Sequence, residues 1–597
     1  MTRWGWRTAL ALGVAAPAGA QIAPGPAVQV PAQQRSQAEL SRPQVDPVAP
    51  PDAPRPRARL VVSNALAPGP CPLRDSPVRV TLASVRFENG RGGELPPVLT
   101  RVLAPVTIAD PGEQPVASVC EIRDRAAAAL NRAGYVAAVQ IPSQEIAGGT
   151  LRLSIVAARI VEVRVEGVNG ALHGDLSRRI EQIRALDPLN QRDAERLLLL
   201  ANDVPGLTLQ LPLQPAGKEP GDVIAVVSVD QTPGVLIANY QNTGSRQLGP
   251  SLFSLRGELY GLTGHADQTY LGFSNSSQWH EVHVVQAGHS MDLGGVRMGL
   301  RGSFAKSNPT IPNLDLRSRS VVAGFDLSTP LFRGLDRTGS TLDDLNVYVG
   351  TGLELLTQRT IVRGNGTDVP FARDRLRVAY ARLGSRVTSR DAYGVPIHDI
   401  DLLVELRRGL NIFNATQRGV TEEGFQPSRL AGDPRAFEIR ATVNQTIRPF
   451  RRADQFGFDI SAYGQWANRP LLNLEEFTVG NLTYGRGYDP GANAGDRAVA
   501  IRFSPRWRVA QDDRSVWELT GFYDAVRFWN LDPGTLDTNR LLRSFGGGVR
   551  LSLRGRMSID LSYAKPIDRV LTTDIRRPRD RLLLSITTQI LPWRFGR

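Results

Sequence analysis

Residues 558–563 read Ser-Ile-Asp-Leu-Ser-Tyr, so polar and apolar side chains alternate strictly. Successive side chains of a β-strand point to opposite faces of its sheet, and this stretch therefore predicts a strand with one polar and one apolar face. The alternation recurs in residues 401–407 and 581–590, where charged side chains lie on the polar face. Such strands are typical of a membrane barrel with a water-filled lumen, whereas a soluble β-sandwich would bury these charges in its core.

The spacing of the predicted strands also favours a barrel. Sixteen strand-like runs lie between Val235 and Ile590, each followed by turn-forming residues. Connections after odd-numbered runs are mostly long and those after even-numbered runs mostly short, as in outer-membrane barrels with long external loops and short periplasmic turns. The predicted long connections are residues 306–317, 358–374, 414–435, the loop that contains Arg486, and 570–580. Residues 333–344 are an exception, because they predict a long connection where a short turn is expected.

Length and charge narrow the class of protein. A chain of 597 residues is long enough for several domains with their own cores. The net charge is +13, but the 71 Lys and Arg residues are scattered along the predicted strands. They therefore indicate a polar lumen rather than a nucleic-acid-binding surface.

The N-terminal residues predict export. Residues 1–20 combine Arg3 and Arg7 with a short apolar core and a small-residue cleavage site, which is the pattern of a secretory signal peptide. Residues 21–70 are rich in Pro and Gln and predict a linker, with one short, weakly amphipathic helix over residues 32–40.

Cys71 and Cys120 are the only cysteines. In an oxidising periplasm we expect them to form a disulfide, which would stabilise the fold by about 4 kcal/mol in the chain-entropy model. Two free thiols are the alternative. A metal site is not expected, because no histidine cluster accompanies them, and His280 and His283 would face opposite sides of a strand. No phosphate-binding loop, dinucleotide fingerprint or nucleophile elbow is present, so neither a cofactor nor catalysis is expected.

Residues 71–159 predict a compact α+β module. Its predicted elements are a strand at 78–82, helices at 97–103 and 118–133, and strands at 135–141 and 151–155. Ser118 and Glu121 form a capping-box pattern at the start of the longer helix, and Gly134 is expected to end it. The order of the elements is therefore β-α-α-β-β.

Residues 160–231 repeat this order. Their predicted elements are a strand at 160–166, two helices with Asn190 as the cap of the second, and strands at 207–211 and 223–229. The chain therefore carries two tandem small α+β modules before the barrel strands, which begin after about residue 232.

Residues 484–490 read Tyr-Gly-Arg-Gly-Tyr-Asp-Pro and lie in a long loop between two predicted strands. Gly485 and Gly487 allow a tight backbone turn, and the Arg486 guanidinium is suited to a carboxylate that accepts two hydrogen bonds. A loop that turns inward into a polar lumen would use both features. An exposed loop with an incidental arginine is the alternative.

An exported chain with two such modules and a sixteen-stranded barrel resembles the TpsB transporters of two-partner secretion, which belong to the BamA-like superfamily. The resemblance extends from about Cys71 to the end of the chain. It rests on residues 134–151, residues 189–206 and the motif at residues 485–488. It implies α+β POTRA modules at 71–159 and 160–231, followed by an all-β outer-membrane barrel at 232–597.

The resemblance also assigns roles to individual residues. In the family, the loop carrying Gly485, Arg486, Gly487 and Tyr488 folds back into the lumen, and its arginine pairs with an aspartate on the inner wall. The matching aspartate here is Asp524, which shares a strand face with Phe522 and Val526. Two features depart from the family. Val526 replaces the usual glycine, and the chain continues beyond the strand that reaches Ile590 instead of ending on an aromatic strand residue.

The implied function is export. The resemblance predicts a monomeric outer-membrane transporter whose periplasmic modules capture one large unfolded exoprotein, an adhesin or cytolysin. The barrel pore would conduct it outward without nucleotide hydrolysis. In relatives an N-terminal helix plugs the pore, and residues 32–40 are the matching segment. An outer-membrane protein assembly factor and a passive porin-like channel are the alternatives.

Overall fold

A computed structural model describes residues 60–61, 71, 73–166, 174–217, 219–311, 314–338, 341–364, 366–391, 395–449, 455–480, 484–532, 538–553 and 556–591. The predicted signal peptide, the predicted helix at 32–40 and the residues after 591 lie outside this part of the chain. No described helix has both the length and the apolar character that crossing a membrane requires.

The first module is a three-stranded sheet covered by two helices. Its elements are β2 (Arg79–Leu82), β3 (Ser84–Asn89), α1 (Pro97–Leu103), β4 (Gly112–Pro115), α2 (Ser118–Arg132), β5 (Ala137–Gln140) and β6 (Thr150–Ala157). The strand predicted at 78–82 is confirmed as β2, but it pairs with β4 in a separate ribbon. The predicted β-α-α-β-β order lacked β3 and β4, and β3 lies parallel to β6 in the sheet. The core is formed by buried residues of both helices and of β6, among them Leu99, Ile122 and Leu151.

The predicted capping box of α2 is also wrong. Ser118 is the first helical residue and not the N-cap, so its hydroxyl donates to the carbonyl of Pro115 at 2.7 Å instead of to a free amide of the first turn. The C-terminal end of α2 follows the prediction, since Gly134 adopts φ +86° directly after it. A disulfide joins Cys120 of α2 to Cys71, which precedes β2.

The second module repeats the arrangement. It contains β7 (Arg159–Glu166), α3 (Gly174–Arg184), α4 (Gln191–Asn202), β8 (Leu207–Pro215) and β9 (Asp222–Gln231). The sheet order is β1-β8-β9-β7, in which β1 (Leu60–Val61) lies parallel to β8. The predicted cap is confirmed, because the side chain of Asn190 accepts a hydrogen bond from the amide of Arg192 at 2.9 Å.

The rest of the chain forms a closed antiparallel barrel of sixteen long strands, as predicted. They are β10 (Gly234–Gln241), β11 (Leu252–Tyr260), β12 (Gln268–Ser276), β13 (Val282–Leu293), β14 (Val296–Ser307), β16 (Leu314–Thr338), β17 (Thr341–Gly364), β18 (Thr367–Arg390), β19 (Pro396–Gly409), β20 (Phe437–Ile447), β21 (Phe456–Ala467), β24 (Arg497–Gln511), β25 (Ser515–Trp529), β26 (Asn539–Leu553), β27 (Met557–Pro566) and β28 (Arg581–Leu591). Three two-residue strands, β15 (Thr310–Ile311), β22 (Phe477–Thr478) and β23 (Ala494–Gly495), lie in connections. The barrel closes where β10 pairs with β28.

Strands β16, β17 and β18 are unusually long, with 25, 24 and 24 residues. A tilted membrane-spanning strand needs about 9–11 residues, so these three continue beyond the membrane. The long connections predicted at 333–344 and 358–374 were therefore wrong, because most of those residues are paired strand residues. Outside the membrane both faces of a strand meet water, so the alternation that identifies a strand in the sequence weakens.

The second module packs against one end of the barrel. The guanidinium of Arg333 on β16 donates to both carboxylate oxygens of Asp203, the residue that follows α4, at 2.8 and 3.1 Å. Arg333 also pairs with Asp344 on β17 and is 8% exposed. This contact identifies the module end of the barrel, and because neighbouring strands run antiparallel, β21 ends and β24 begins at the opposite end.

Candidate functional site

The described residues of the loop between β21 and β24, 468–480 and 484–496, are packed inside the barrel at the end remote from the modules. Tyr488 is fully buried, and Gly480 and Gly485 adopt φ +97° and +78°, a left-handed conformation that favours glycine. At Gly480 a Cβ atom would lie 2.0 Å from the carbonyl oxygen of Asp489, so only glycine fits there. The described part of the loop is thus compact and occupies the lumen.

Arg486 at the tip of this loop contacts the inner wall through Asp524 of β25. Its Nη2 and Nε lie 3.0 and 3.2 Å from the two carboxylate oxygens, and its backbone amide donates to the same carboxylate at 3.0 Å. The guanidinium also lies 3.6 Å from the ring centroid of Phe522. Asp524 is fully buried, so these three hydrogen bonds replace the water that its charge would otherwise require.

Val526 belongs to the same contact. It lies two residues beyond Asp524 on the inward face of β25 and is fully buried. It shares an apolar cluster with loop residues Val479, Tyr484 and Tyr488. The side chain at this position therefore fills space between the wall and the loop, which accounts for the departure from glycine.

Tyr488 fixes the loop to the next two strands. Its hydroxyl donates to the carbonyl of Arg543 on β26 at 2.7 Å and accepts from the amide of Asp568, just after β27, at 3.1 Å. Its own carbonyl accepts a hydrogen bond from Arg581 on β28. The side chain of Asp489 accepts from the amide of Arg246 at 3.2 Å, so the loop also reaches the connection after β10.

Gly487 lies against the wall so closely that no side chain fits. A Cβ atom there would lie 2.7 Å from the Cβ of Ser544, 3.0 Å from the nitrogen of Pro566 and 3.2 Å from the carbonyl carbon of Lys565. Two of these three neighbours are backbone atoms, which cannot rotate away. Glycine at this position is therefore required by close approach and not by an unusual backbone conformation.

We expect Gly487→Ala to lift the loop tip from the wall and expose it to protease added outside cells. The added methyl group must displace either the loop or β26 and β27, and the loop has fewer backbone hydrogen bonds to lose. Cleavage within residues 468–496, followed by electrophoresis of intact-cell digests, measures the effect. Gly464→Ala is the matched control, because nothing lies within 4 Å of a Cβ atom there. Equal protection of both variants would contradict the steric argument.

A second contact holds the beginning of the same loop. Glu475 accepts hydrogen bonds from Arg407 on β19, at 3.1 Å, and from Arg440 on β20. Arg407 is 6% exposed and also binds Glu354 on β17 at 2.7 Å and Glu405 at 2.8 Å. The loop is thus attached to the wall at two places, near residue 475 and near residue 486, on different groups of strands.

A third contact joins the loop to its neighbours at the outer end. Arg429, in the connection between β19 and β20, binds Glu476 at 2.8 Å, Asp496 at 2.6 Å and Asp532 at 2.6 Å. Burial alone lowers the pKa of Arg429, but these carboxylates raise it overall, so its charge is retained. Periodicity of the sequence does not reveal these partners, because they lie in loops far apart in the chain.

A closed sixteen-stranded barrel with a charged lumen, an inward-packed loop and α+β modules at one end defines an outer-membrane transporter. The chain belongs to the family of haemolysin secretion/activation proteins ShlB/FhaC/HecB, whose sequence model matches residues 221–551.

Individual relatives agree with this assignment. The outer membrane transporter CdiB of Dickeya dadantii (strain 3937) is 25% identical over 454 residues, which cover 73% of this chain and 74% of the relative. The heme/hemopexin transporter protein HuxB of Haemophilus influenzae (strain ATCC 51907 / DSM 11121 / KW20 / Rd) is 23% identical over 447 residues, covering 72% and 74%. The solved structure of CdiB from Escherichia coli shares the fold, with a TM-score of 0.67 and 16% identity over 93% of this chain and 95% of that chain.

This chain is therefore a transporter of the two-partner secretion class, located in the outer membrane. Proteins of this class work with a secreted exoprotein partner, and the family is one of transporters and not of enzymes.

Proposed function

We propose that the modules at 71–159 and 160–231 are periplasmic POTRA domains that capture one large unfolded exoprotein, and that the barrel at 232–597 exports it. The contact of Arg486 with Asp524 carries the proposal, because it holds a loop inside the lumen where a client must pass. The loop has to shift during export, and a charge-assisted contact can break and reform without changing the barrel. Gly485, Gly487, Tyr488 and Phe522 position this contact.

Capture would use a free sheet edge. In the described part of the second module, β7 pairs only with β9, so its other edge has no strand partner. Val161 and Val165 on β7 are 36% and 41% exposed. An extended segment of the client can add to such an edge through backbone hydrogen bonds, with its own apolar side chains beside these valines.

Export needs no bound nucleotide in this scheme. The client enters unfolded from the periplasmic end and folds on the outer side, so folding outside the cell prevents its return. The barrel closes on itself, since β10 pairs with β28, and a single chain embedded in outer-membrane lipid is sufficient for the pathway. The disulfide between Cys71 and Cys120 stabilises the first module in the oxidising periplasm.

Deletion of the gene tests this function. We expect a single large exoprotein to disappear from the medium or cell surface, with its fragments appearing in the periplasm, because an unfolded client that cannot leave is degraded there. Quantitative proteomics of the secreted, surface and periplasmic fractions measures this. A matched strain that carries the gene on a plasmid is the control and should recover the exoprotein.

Two other outcomes would contradict the proposal. A general fall in outer-membrane barrels would indicate an assembly factor. An unchanged set of exported proteins, together with slower uptake of small solutes, would indicate a passive channel.

A further inference from the structure

A groove of about 610 Å³ lies on the outward face of the barrel, across β20, β21, β24 and β25. Its walls include Ile439, Trp466, Arg497, Val499 and Trp529. The groove opens toward lipid and not toward the lumen, because Trp466 and Val499 are 43% and 56% exposed. The residues that alternate with them along the strands point inward and are buried.

The groove lies at the outer end of the barrel. β21 ends at Ala467 and β24 begins at Arg497, and this end is remote from the contact between Asp203 and Arg333. Aromatic residues surround the groove, with Phe437 packed edge-on against Trp466 at 6.5 Å between ring centroids. Tryptophan is enriched at the level of lipid headgroups, so the groove is placed where acyl chains meet the polar surface of the outer leaflet.

Two arginines lie on this lipid-facing surface. Arg497 of β24 lies opposite Trp529 of β25, and Arg527 of β25 lies opposite Val499 of β24. The two arginines therefore belong to adjacent cross-strand pairs on the same face of the sheet. Each lies beside an aromatic ring, Arg497 at 5.2 Å from the centroid of Trp466 and Arg527 at 5.3 Å from that of Trp529. These contacts orient the side chains without neutralising them.

Neither guanidinium has an acidic partner within the part of the chain that the structure describes. Arg497 donates to the carbonyl of Ala467 at 2.8 Å, and Arg527 donates to the amide oxygen of Asn539 at 3.2 Å. Arg543, on the neighbouring strand, instead forms a 2.9 Å ion pair with Asp568. Among the described residues, no carboxylate compensates Arg497 or Arg527, whereas the adjacent arginine is balanced.

An arginine without an anionic partner on the lipid face of a barrel costs free energy, most at the bilayer midplane and less toward the interface. A phosphate group at the interface removes this cost and supplies the anion that a guanidinium binds with two hydrogen bonds. The apolar wall formed by Ile439 and Val499 is suited to an acyl chain beside that phosphate.

We propose that this groove binds a phosphate-bearing lipid of the outer leaflet. Arg497 and Arg527 hold the phosphate, the rings of Trp466 and Trp529 lie against the headgroup sugar or glycerol, and an acyl chain occupies the apolar wall. The site is independent of the lumen and of the client, so the transporter would carry a lipid attached to its outer rim while it exports protein.

The test is native mass spectrometry of the purified full-length protein in detergent, with bisphosphorylated lipid A as the probe. We expect retention of the lipid by the unaltered protein, and at least tenfold weaker retention by the double variant Arg497→Gln, Arg527→Gln, because the loss of even one charge-assisted hydrogen bond lowers the affinity by about that factor. Lipid A stripped of its phosphates should bind the unaltered protein as weakly as the phosphorylated lipid binds the double variant.

Arg514→Gln is the control variant, because Arg514 lies in the turn after β24 at the periplasmic end. It should retain the lipid at the level of the unaltered protein. Equal retention by the double variant would overturn the proposal, and so would equal binding of the phosphate-free lipid. Displacement of the lipid by millimolar inorganic phosphate would also overturn it, because the site would then be an anion site without lipid preference. Heat-modifiable electrophoresis of each variant verifies that the barrel is folded.

Discussion

Arg486→Ala is expected to abolish export of the exoprotein while the barrel still inserts into the outer membrane. The substitution removes the partner of Asp524, which is fully buried. An unpaired buried charge costs about 3–5 kcal/mol, and the structure can avoid that cost only by releasing the loop so that water reaches the carboxylate. The barrel strands keep their backbone pairing, so insertion does not depend on this residue. Immunoblots of medium and of heat-modifiable outer-membrane protein measure export and folding separately.

Two further variants sharpen this result. Arg486→Lys keeps the charge but loses one of the two side-chain hydrogen bonds to the carboxylate, so it should export at an intermediate level. Arg418→Ala removes an exposed arginine from the external connection between β19 and β20 and should export normally. Near-normal export by Arg486→Ala would show that export does not require the contact with Asp524. Failure of that variant to insert would show that the contact is needed for folding of the barrel and not specifically for export.

Arg407→Met should give the largest loss of barrel stability. Arg407 neutralises Glu354, Glu405 and Glu475 at distances of 2.7–3.1 Å, and it is 6% exposed. Methionine preserves much of the volume but leaves an excess of negative charge among these carboxylates, since Glu354 and Glu475 each keep one arginine, Arg301 and Arg440, so the free energy of unfolding should fall by about 3–5 kcal/mol. The temperature at which the folded band converts to the unfolded band on semi-native electrophoresis measures the change.

Arg386→Met is the matched control for this experiment. Arg386 and Asp401 form a 2.8 Å ion pair with side chains 45% and 39% exposed, and pairs of this kind contribute about 0–1 kcal/mol. Adding Glu475→Gln to Arg407→Met should recover part of the lost stability, because it removes one negative charge from the excess. If Arg407→Met melts at the same temperature as Arg386→Met, the network around Arg407 does not stabilise the barrel.

Much of the fold could be predicted because the membrane imposes a simple pattern. A strand between lipid and water must alternate, and this alternation gave the correct strand count. The family resemblance, and not the alternation, placed Asp524 on the inner wall. The alternation of polar and apolar residues weakens where a strand does not lie between lipid and water. β16, β17 and β18 continue into water at both ends, and residues 333–344 and 358–374 therefore resemble loops in the sequence although they are paired strands.

Helix caps could be predicted only where the cap depends on residues that are adjacent in the chain. Asn190 was identified as a helix cap because a cap needs only the next few residues. Ser118 was misassigned, because helix α2 begins one residue earlier than the capping box requires, and the position of that start depends on how the ribbon of β2 and β4 leads into the helix.

The sequence by itself determined the two helices of each α+β module, the element order of the second module, the sixteen-stranded barrel and the unusual arginine between two glycines. These features follow from periodicity and from the conformational range of glycine, which neighbouring residues specify. Only the tertiary structure decided which wall atoms exclude a side chain at Gly487, that Glu475 is held by Arg407, and that Arg497 and Arg527 occupy adjacent cross-strand pairs with no acidic partner among the described residues. Those contacts join residues from separate strands and loops, and closure of the barrel is what brings them together.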